Sequence, residues 1–512
     1  MSFLRELQAT LDKEYNISVT ENGAVGYSTT GSALLDLNFA VSSLRNKSDA
    51  EICNLFVKAY FEDRLLATKW LFFVGDVRGG LGERRLFRIC LKYLADNHPD
   101  QAKKLLHLVA EYTRWDNLFC LLDGELKDDV LSLIADQLSA DVEKMNKGEN
   151  VSLLAKWLPS VNASSDQNRA TANIIVKNLN YTTASYRKTL SALRNYSNVV
   201  EVKMSAKRWD TINYEEVPSR ANLIYNSAFL RNDVDRRKAF LNALEKGETK
   251  INSGVLFPHD IVGRYTAKTG YWNKLLAPYD PALEGMWKGL PDYVNGENGT
   301  ICVADGSGSM SICIGKSNVR AIDVANALAI YFAERCEGEF KDKYITFSEK
   351  PQLVDLSKGN NLREKLEIAF SHNEVANTNI QKVFELILDT AVKGKMKQNE
   401  LPKNVLILSD MEFDAAITED LDEENEFKRL FTIIGYRYAM RGYRLPRLVF
   451  WNLSSRTNTI PVKENELGVA LVSGFSPAAL NMVLSNELDA YKALTNVLNG
   501  ERYAAIETAL KE

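Results

Sequence analysis

The hydrophobic periodicity of this chain changes once, near residue 299, and that change limits the folds open to it. From Met1 to about Tyr293, apolar residues recur three and four positions apart, as in AEICNLFVKAYFEDRLLATKWLFFV, IADQLSADVEKM and RRKAFLNALEKG. This is the spacing of amphipathic helices. Breakers such as Gly79-Gly80, Pro99, Gly148, Pro218 and Pro258 cut the pattern into short pieces, which predicts a layer of stacked helical hairpins of a HEAT-like, solenoid kind. The turn-rich stretch LPDYVNGENG (290–299) marks a junction. Beyond it, short apolar runs (GTICVAD, KDKYITFS, PQLVDL, KNVLILSD, RLVFWNL, GVALVSGF) alternate with helical patterns such as AIDVANALAIYFAERC and IQKVFELILDTAVKGK. Alternation of this kind predicts a doubly wound, mostly parallel sheet covered on both faces. The expected fold is α + α/β, with an all-α region over 1–295 and a sheet domain over 296–512.

Composition narrows the setting. Of 512 residues, 45% are hydrophobic and 25% charged, the profile of a chain that buries a large core. The opening MSFLRELQATLDKEY reads as an amphipathic helix and lacks the apolar core of a signal peptide. No apolar run approaches the roughly 18 residues of a membrane span. Six scattered Cys without a Cys-x-x-Cys pair, and only four His, argue for reduced thiols and against zinc. A cytoplasmic setting follows, or the inside of an assembly formed there. The net charge of −4 conceals a basic block: residues 151–250 hold 16 Lys and Arg against 9 Asp and Glu, which hints at a polyanionic partner.

In doubly wound sheets, ligands bind beyond the carboxyl ends of the strands. There the first strand of the second region ends at Asp305, followed by Gly306-Ser307-Gly308-Ser309. A carboxylate and two hydroxyls on alternate positions of a tight loop can converge on one point, and hard oxygen donors suit Mg²⁺ or Mn²⁺. A second buried strand ends at Asp410, and Thr378 stands before a helix, as a further oxygen ligand or its N-cap, with Asn379 an alternative. Glu412 and Asp414 either tune the charge of the site or are simply solvated, the second being the foremost reading. This set resembles the metal-ion-dependent adhesion site of von Willebrand factor A domains. The resemblance implies Ser307, Ser309 and Thr378 as ligands, Asp305 and Asp410 in support partly through water, and an open position for a partner's carboxylate. A rival reading is a P-loop hydrolase, since Gly315-Lys316-Ser317 follows a strand and VLILSD resembles a Walker B strand. Against it, the glycine required five residues before Gly315 is Met310.

The segment FFVGDVRGGLGERRLFR places Arg78, Arg84 and Arg85 among glycines, either as a phosphate-binding turn or as a turn locked by ion pairs. Arg114-Trp115-Asp116 recurs as Arg208-Trp209-Asp210, and reads foremost as a packing anchor with a satisfied ion pair. These segments, with YRKTLSALRNY, VKMSAKRWDTINYEEVPSRA and LFPHDIVGRY, resemble an uncharacterised family of eukaryotes, large viruses and phages. That family pairs a helical N-terminal region with a von Willebrand A-like domain, and its layout resembles the TROVE-domain Ro proteins. The resemblance implies a non-catalytic scaffold that binds structured or single-stranded RNA. Arg78, Arg84, Arg85, Arg187, Lys188, Arg194, Lys203, Lys207 and Arg208 are then the candidate phosphate contacts, with Tyr181, Tyr186, Tyr196 and Trp209 as stacking surfaces. The alternative is a metal-dependent protein-interaction or assembly module, such as a viral particle component.

Overall fold

The computed structural model describes residues 16–266, 276–315, 317–347, 350–372, 378–415, 429–463, 467–485 and 487–511. The expected N-terminal amphipathic helix lies outside them. The chain forms two compact units, one of residues 1–67 with 256–498 and one of 68–255 with 499–512.

The first unit is built on a six-stranded sheet. After a two-residue hairpin of β1 (Ser18–Val19) and β2 (Val25–Gly26), the sheet strands are β3 (Thr300–Asp305), β4 (Lys343–Phe347), β5 (Gln352–Asp355), β6 (Asn404–Ser409), β7 (Arg447–Asn452) and β8 (Val469–Ser473). Their order is β5-β4-β3-β6-β7-β8, and all neighbours run parallel except β5, which pairs antiparallel with β4. Every residue of β3, β7 and β8 is buried, as an apolar run covered on both faces requires. The helix Ala321–Arg335 covers β3 and β4 and is buried from Ala321 to Ala333, which explains its near-continuous apolar sequence. From β3 the chain moves to β4 on one side, and β6 later takes the other side. The reversal leaves a crevice between the carboxyl ends of β3 and β6.

The division at 295/296 follows the change in periodicity; compactness follows packing, and the two differ. Residues ahead of the sheet are tied into it. The Ser42 hydroxyl bonds the Asn452 carbonyl and the Ser473 hydroxyl, both at 2.8 Å. Buried Glu284, from the helix Pro281–Lys288, accepts the amides of Leu362 and Arg363 at 2.8 and 3.2 Å, and so caps the helix Leu362–Ser371. The reading of residues 1–293 as helical missed β1 and β2, which are too short to show alternation.

The second unit is all helix and turn. It contains Arg84–Asn97, Pro99–Tyr112, Lys127–Lys147, Asp166–Asn178, Thr183–Tyr196, Ser219–Asn232 and Val234–Glu245, with the C-terminal helix Ala504–Lys511 packed on Pro99–Tyr112. Asp76, fully buried, holds that C-terminal piece: it accepts both arms of the Arg502 guanidinium, the Tyr503 hydroxyl at 3.1 Å and the Arg78 amide at 2.9 Å. The glycine-rich turn is structural at its centre, because a Cβ on Gly80 would stand 1.9 Å from the Phe73 carbonyl oxygen.

Candidate metal centre

Each half of the crevice is set by a strand end. Asp305 is the last residue of β3, and its carboxylate turns into the following loop to accept the Ser307 amide at 2.9 Å. Its other oxygen accepts the Ser409 hydroxyl at 2.6 Å, from the last residue of β6. Ser307 and Ser309 stand with hydroxyls 3.1 Å apart. Asp410 follows β6 directly, and the Ser309 hydroxyl and the Arg456 guanidinium both help hold its charge, Arg456 at 3.0 Å.

Asp305 and Asp410 are each 1% exposed. Burial, with the Asp410 charge second, pushes Asp305 up to about 7. Burial also raises Asp410, against the opposing pull of Arg456. Two acids thus share a dry crevice with a hydroxyl pair, and all these donors are oxygen. Such a set fits a hard divalent cation, whose charge would offset the cost of ionising both acids. Among the described residues there is no cluster of three or more His, Cys, Asp or Glu, so any cation here would depend on hydroxyl oxygens.

Thr378 is buried along the loop after Asp410. Its amide donates to Asp414 Oδ1 at 3.3 Å, its carbonyl accepts the Asp414 amide at 3.1 Å, and its Oγ1 lies 3.5 Å from Asn22 Nδ2. Asn379 accepts the Lys382 amide at 3.2 Å, the capping task that the sequence left open to Thr378.

The chain belongs to the DUF2828 family. The domain of unknown function DUF2828 matches residues 20–115 and 124–297, and a second, DUF7788, matches 299–508. An uncharacterized protein of Acanthamoeba polyphaga mimivirus is 30% identical over 514 aligned positions, covering 92% of this chain and 85% of its own. Among solved structures, the Ro (RSR) protein of Deinococcus radiodurans is similar with a TM-score of 0.37 at 15% identity, over 90% of this chain and 93% of that one.

In this DUF2828 member further groups stand around the crevice, and of these only Glu412 stood out in the sequence. Glu412, read foremost as solvated and otherwise as tuning the charge of the site, is 0% exposed. Its carboxylate accepts the amides of Glu21, Arg456 and Thr457 and the hydroxyls of Ser455 and Thr457. It is half-enclosed by the N-terminal segment, where Asn22 also bonds the Glu412 carbonyl at 2.7 Å. Arg456 pairs with Glu21 as well as with Asp410. Ser409 was not named, though a signal existed: it ends the strand before Asp410, and parallel pairing of Ala304 with Leu408 sets it level with Asp305. Glu21 and Asn22 carried no signal, being nearly 400 residues from their partners. Lys316, on which the P-loop reading turned, lies outside the described residues, and Met310 is buried.

The candidate phosphate contacts of the helical unit divide. Arg194 is committed elsewhere: its guanidinium donates to the carbonyls of Ala155 and Leu158 at 2.7 and 2.6 Å and to Ser160 at 3.0 Å, satisfying the end of the short helix Leu154–Trp157. Tyr186 is buried with its hydroxyl on the Pro159 carbonyl, so it offers no stacking face. Half-buried Lys203 donates to the Thr211 carbonyl. Arg78, Arg84, Arg85, Arg187, Lys188, Lys207 and Arg208 are exposed. Arg208 bonds Asn195, and the Arg114–Asp116 ion pair of the first Arg-Trp-Asp triplet is formed, with Trp115 buried beside it.

Proposed function

We propose that this protein is a non-catalytic binding scaffold, similar in layout to Ro proteins, whose sheet unit holds Mg²⁺ or Mn²⁺ in the crevice between β3 and β6. In this reading Ser307, Ser309 and Thr378 are the ligands and Asp305 and Asp410 support them, in the manner of a von Willebrand A-type adhesion site. The ion's open position would take the carboxylate of a protein partner. The reading is carried by the meeting of Asp305, Asp410 and the Ser307–Ser309 hydroxyl pair at the strand-order reversal. The test is calorimetric titration of Mn²⁺ into the chelator-treated full chain, with Asp305→Asn and Ser309→Ala as variants. A single site weakened at least tenfold by each variant is expected. Binding equal to wild type in both would overturn the reading. ATP turnover lost in Lys316→Ala would favour the P-loop alternative instead.

RNA binding by the helical unit is the second reading. It is favoured by the exposed cations Arg187, Lys188, Lys207 and Arg208 within a block of positive charge. It requires that the full chain bind single-stranded or structured RNA with an affinity that falls steeply with salt.

A further inference from the structure

One corner of the helical unit gathers guanidinium groups around a single shared carboxylate. Arg84 and Arg88 stand one turn apart on the helix Arg84–Asn97. Arg88 donates to Asp116 at 3.2 Å, and Arg114 grips both oxygens of the same carboxylate. Two guanidiniums therefore share Asp116, while Arg84 makes no hydrogen bond or ion pair among the described residues. Arg220 adds to the positive field at Arg84. Arg84 reaches solvent, yet the protein around its guanidinium and then the nearby Arg114 charge lower its pKa. The side chain is thus accessible and unpaired in an unfavourable positive field.

The helix end sharpens the point. Arg84 and Arg85 occupy the first turn of a 14-residue helix with no acidic residue in that turn. Cations there oppose the helix dipole, whereas an anion is favoured by it. Glu83 just precedes the turn, while Arg88 and Arg114 share the one carboxylate of Asp116 and Arg84 has no carboxylate of its own among the described residues.

A second observation also points to a ligand. Asn117 is 0% exposed, and its Oδ1 accepts the Arg88 Nε–H at 2.7 Å, which fixes the orientation of the amide. Its Nδ2 is then a buried donor with no partner among the described residues. Unmet buried donors are uncommon and call for an acceptor. Arg114 also lies over the Trp157 ring, 3.7 Å from its centroid, which holds the guanidinium in place.

We propose that Arg84, Arg88 and Arg114, beside the buried Asn117 amide, form a phosphate-binding site. Planar guanidinium forks match phosphate oxygens, and the ligand is either free phosphate or a phosphodiester of single-stranded RNA. The second source rests on the RNA reading above; the first does not.

The experiment uses the full chain with two probes, inorganic phosphate by calorimetry and a labelled mixed-sequence 20-nucleotide RNA by anisotropy. The variants are Arg84→Gln, an exposed unpaired position that leaves the fold intact, and Arg187→Gln as a basic control, both checked by thermal melting. The site predicts at least a tenfold loss for one probe or both in Arg84→Gln and less than twofold in Arg187→Gln. Loss for phosphate alone assigns a free-phosphate site and counts against the RNA reading. Loss for RNA alone assigns the phosphodiester. Absence of binding to both probes, or binding in Arg84→Gln within twofold of wild type for both, overturns the proposal.

Discussion

Glu412→Gln isolates the group that holds the loop beside the acid pair. The glutamate carboxylate accepts three bonds at Oε1, from the Ser455 hydroxyl and the Arg456 and Thr457 amides. At Oε2 it accepts the Glu21 amide at 2.9 Å, and the single Thr457 hydroxyl proton is shared between the two oxygens at 3.1 Å from each. A glutamine would keep its carbonyl on the first set and point its NH₂ at the second. The Thr457 hydroxyl can turn to accept, but the Glu21 amide cannot, so one charge-assisted bond becomes a donor facing a donor. Bonds to charged groups contribute about 1.5–3 kcal/mol each, and loss of charge weakens the three that remain at Oε1, so the expected cost is about 3 kcal/mol. At about 2 °C per kcal/mol for a unit of this size, melting of the sheet unit should fall by about 6 °C. Hydrogen exchange gives the sharper assay, with the amides of Glu21 and Thr457 losing protection ahead of the strands. Because Asp410 sits two residues before Glu412, Mn²⁺ affinity should fall as well. A melting temperature within about 1 °C of wild type, with Glu21 still protected, would refute this account of the loop.

Other consequences can be checked in the same preparations. Asp305 is raised from the carboxylate range near 4 to about 7, so the folded metal-free chain binds the extra proton. Its contribution is therefore full below about pH 4 and is lost as pH rises towards 7. The metal-free melting temperature should decline across that window, Mg²⁺ should stabilise more at pH 8 than at pH 5.5, and Asp305→Asn should flatten both trends. Arg502→Ala leaves fully buried Asp76 without its guanidinium and should cost the helical unit about 3 kcal/mol, seen as faster limited proteolysis of residues 68–255. Gly80→Ala forces the backbone off the Phe73 carbonyl and should abolish soluble expression, a far larger effect than Gly148→Ala, where the added methyl meets open space and only the positive φ is strained. Arg194→Ala should lower stability by about 2 kcal/mol, through three lost bonds to carbonyl and hydroxyl oxygens, and leave RNA affinity unchanged.

The parts of the fold written in local periodicity were legible. The six sheet strands and most of the helices between them follow from apolar runs and turn residues. The Asp305–Ser307–Ser309 loop and Asp410 were found because a strand end in a parallel sheet has a defined place. What stayed hidden depends on contacts between distant stretches. The Arg194 side chain looks like any solvent-facing cation in sequence, and nothing local reveals that the carbonyls at 155 and 158 need a donor. Glu412 follows a short loop of mixed polarity, and its burial is set by backbone amides at 21, 456 and 457. Likewise residues 499–512 continue the sheet region in sequence, but Asp76 and Lys69 draw them into the helical unit.

Arg456 gives the crevice a property that the adhesion-type motif alone does not imply. Its guanidinium is shared between Asp410, which is buried, and Glu21, which is half-exposed. One cation already partly neutralises Asp410, whereas Asp305 is held by the Ser307 amide and the Ser409 hydroxyl with no cation beside it among the described residues. An arriving Mg²⁺ would gain most from Asp305 and the serine hydroxyls, and it would meet repulsion from Arg456 across Asp410. Removing that positive charge has opposing effects: the metal-free crevice holds two uncompensated acids and loses stability, while the metal-bound form loses its repulsion. Arg456→Met should therefore destabilise the chelator-treated protein yet tighten Mn²⁺ binding, by roughly tenfold for each 1.4 kcal/mol of repulsion relieved. If Arg456 instead orients Asp410 for the ion, the same substitution weakens Mn²⁺ binding, and a calorimetric comparison with Arg456→Lys tells the two apart, since lysine keeps the charge but loses the fork that spans Asp410 and Glu21.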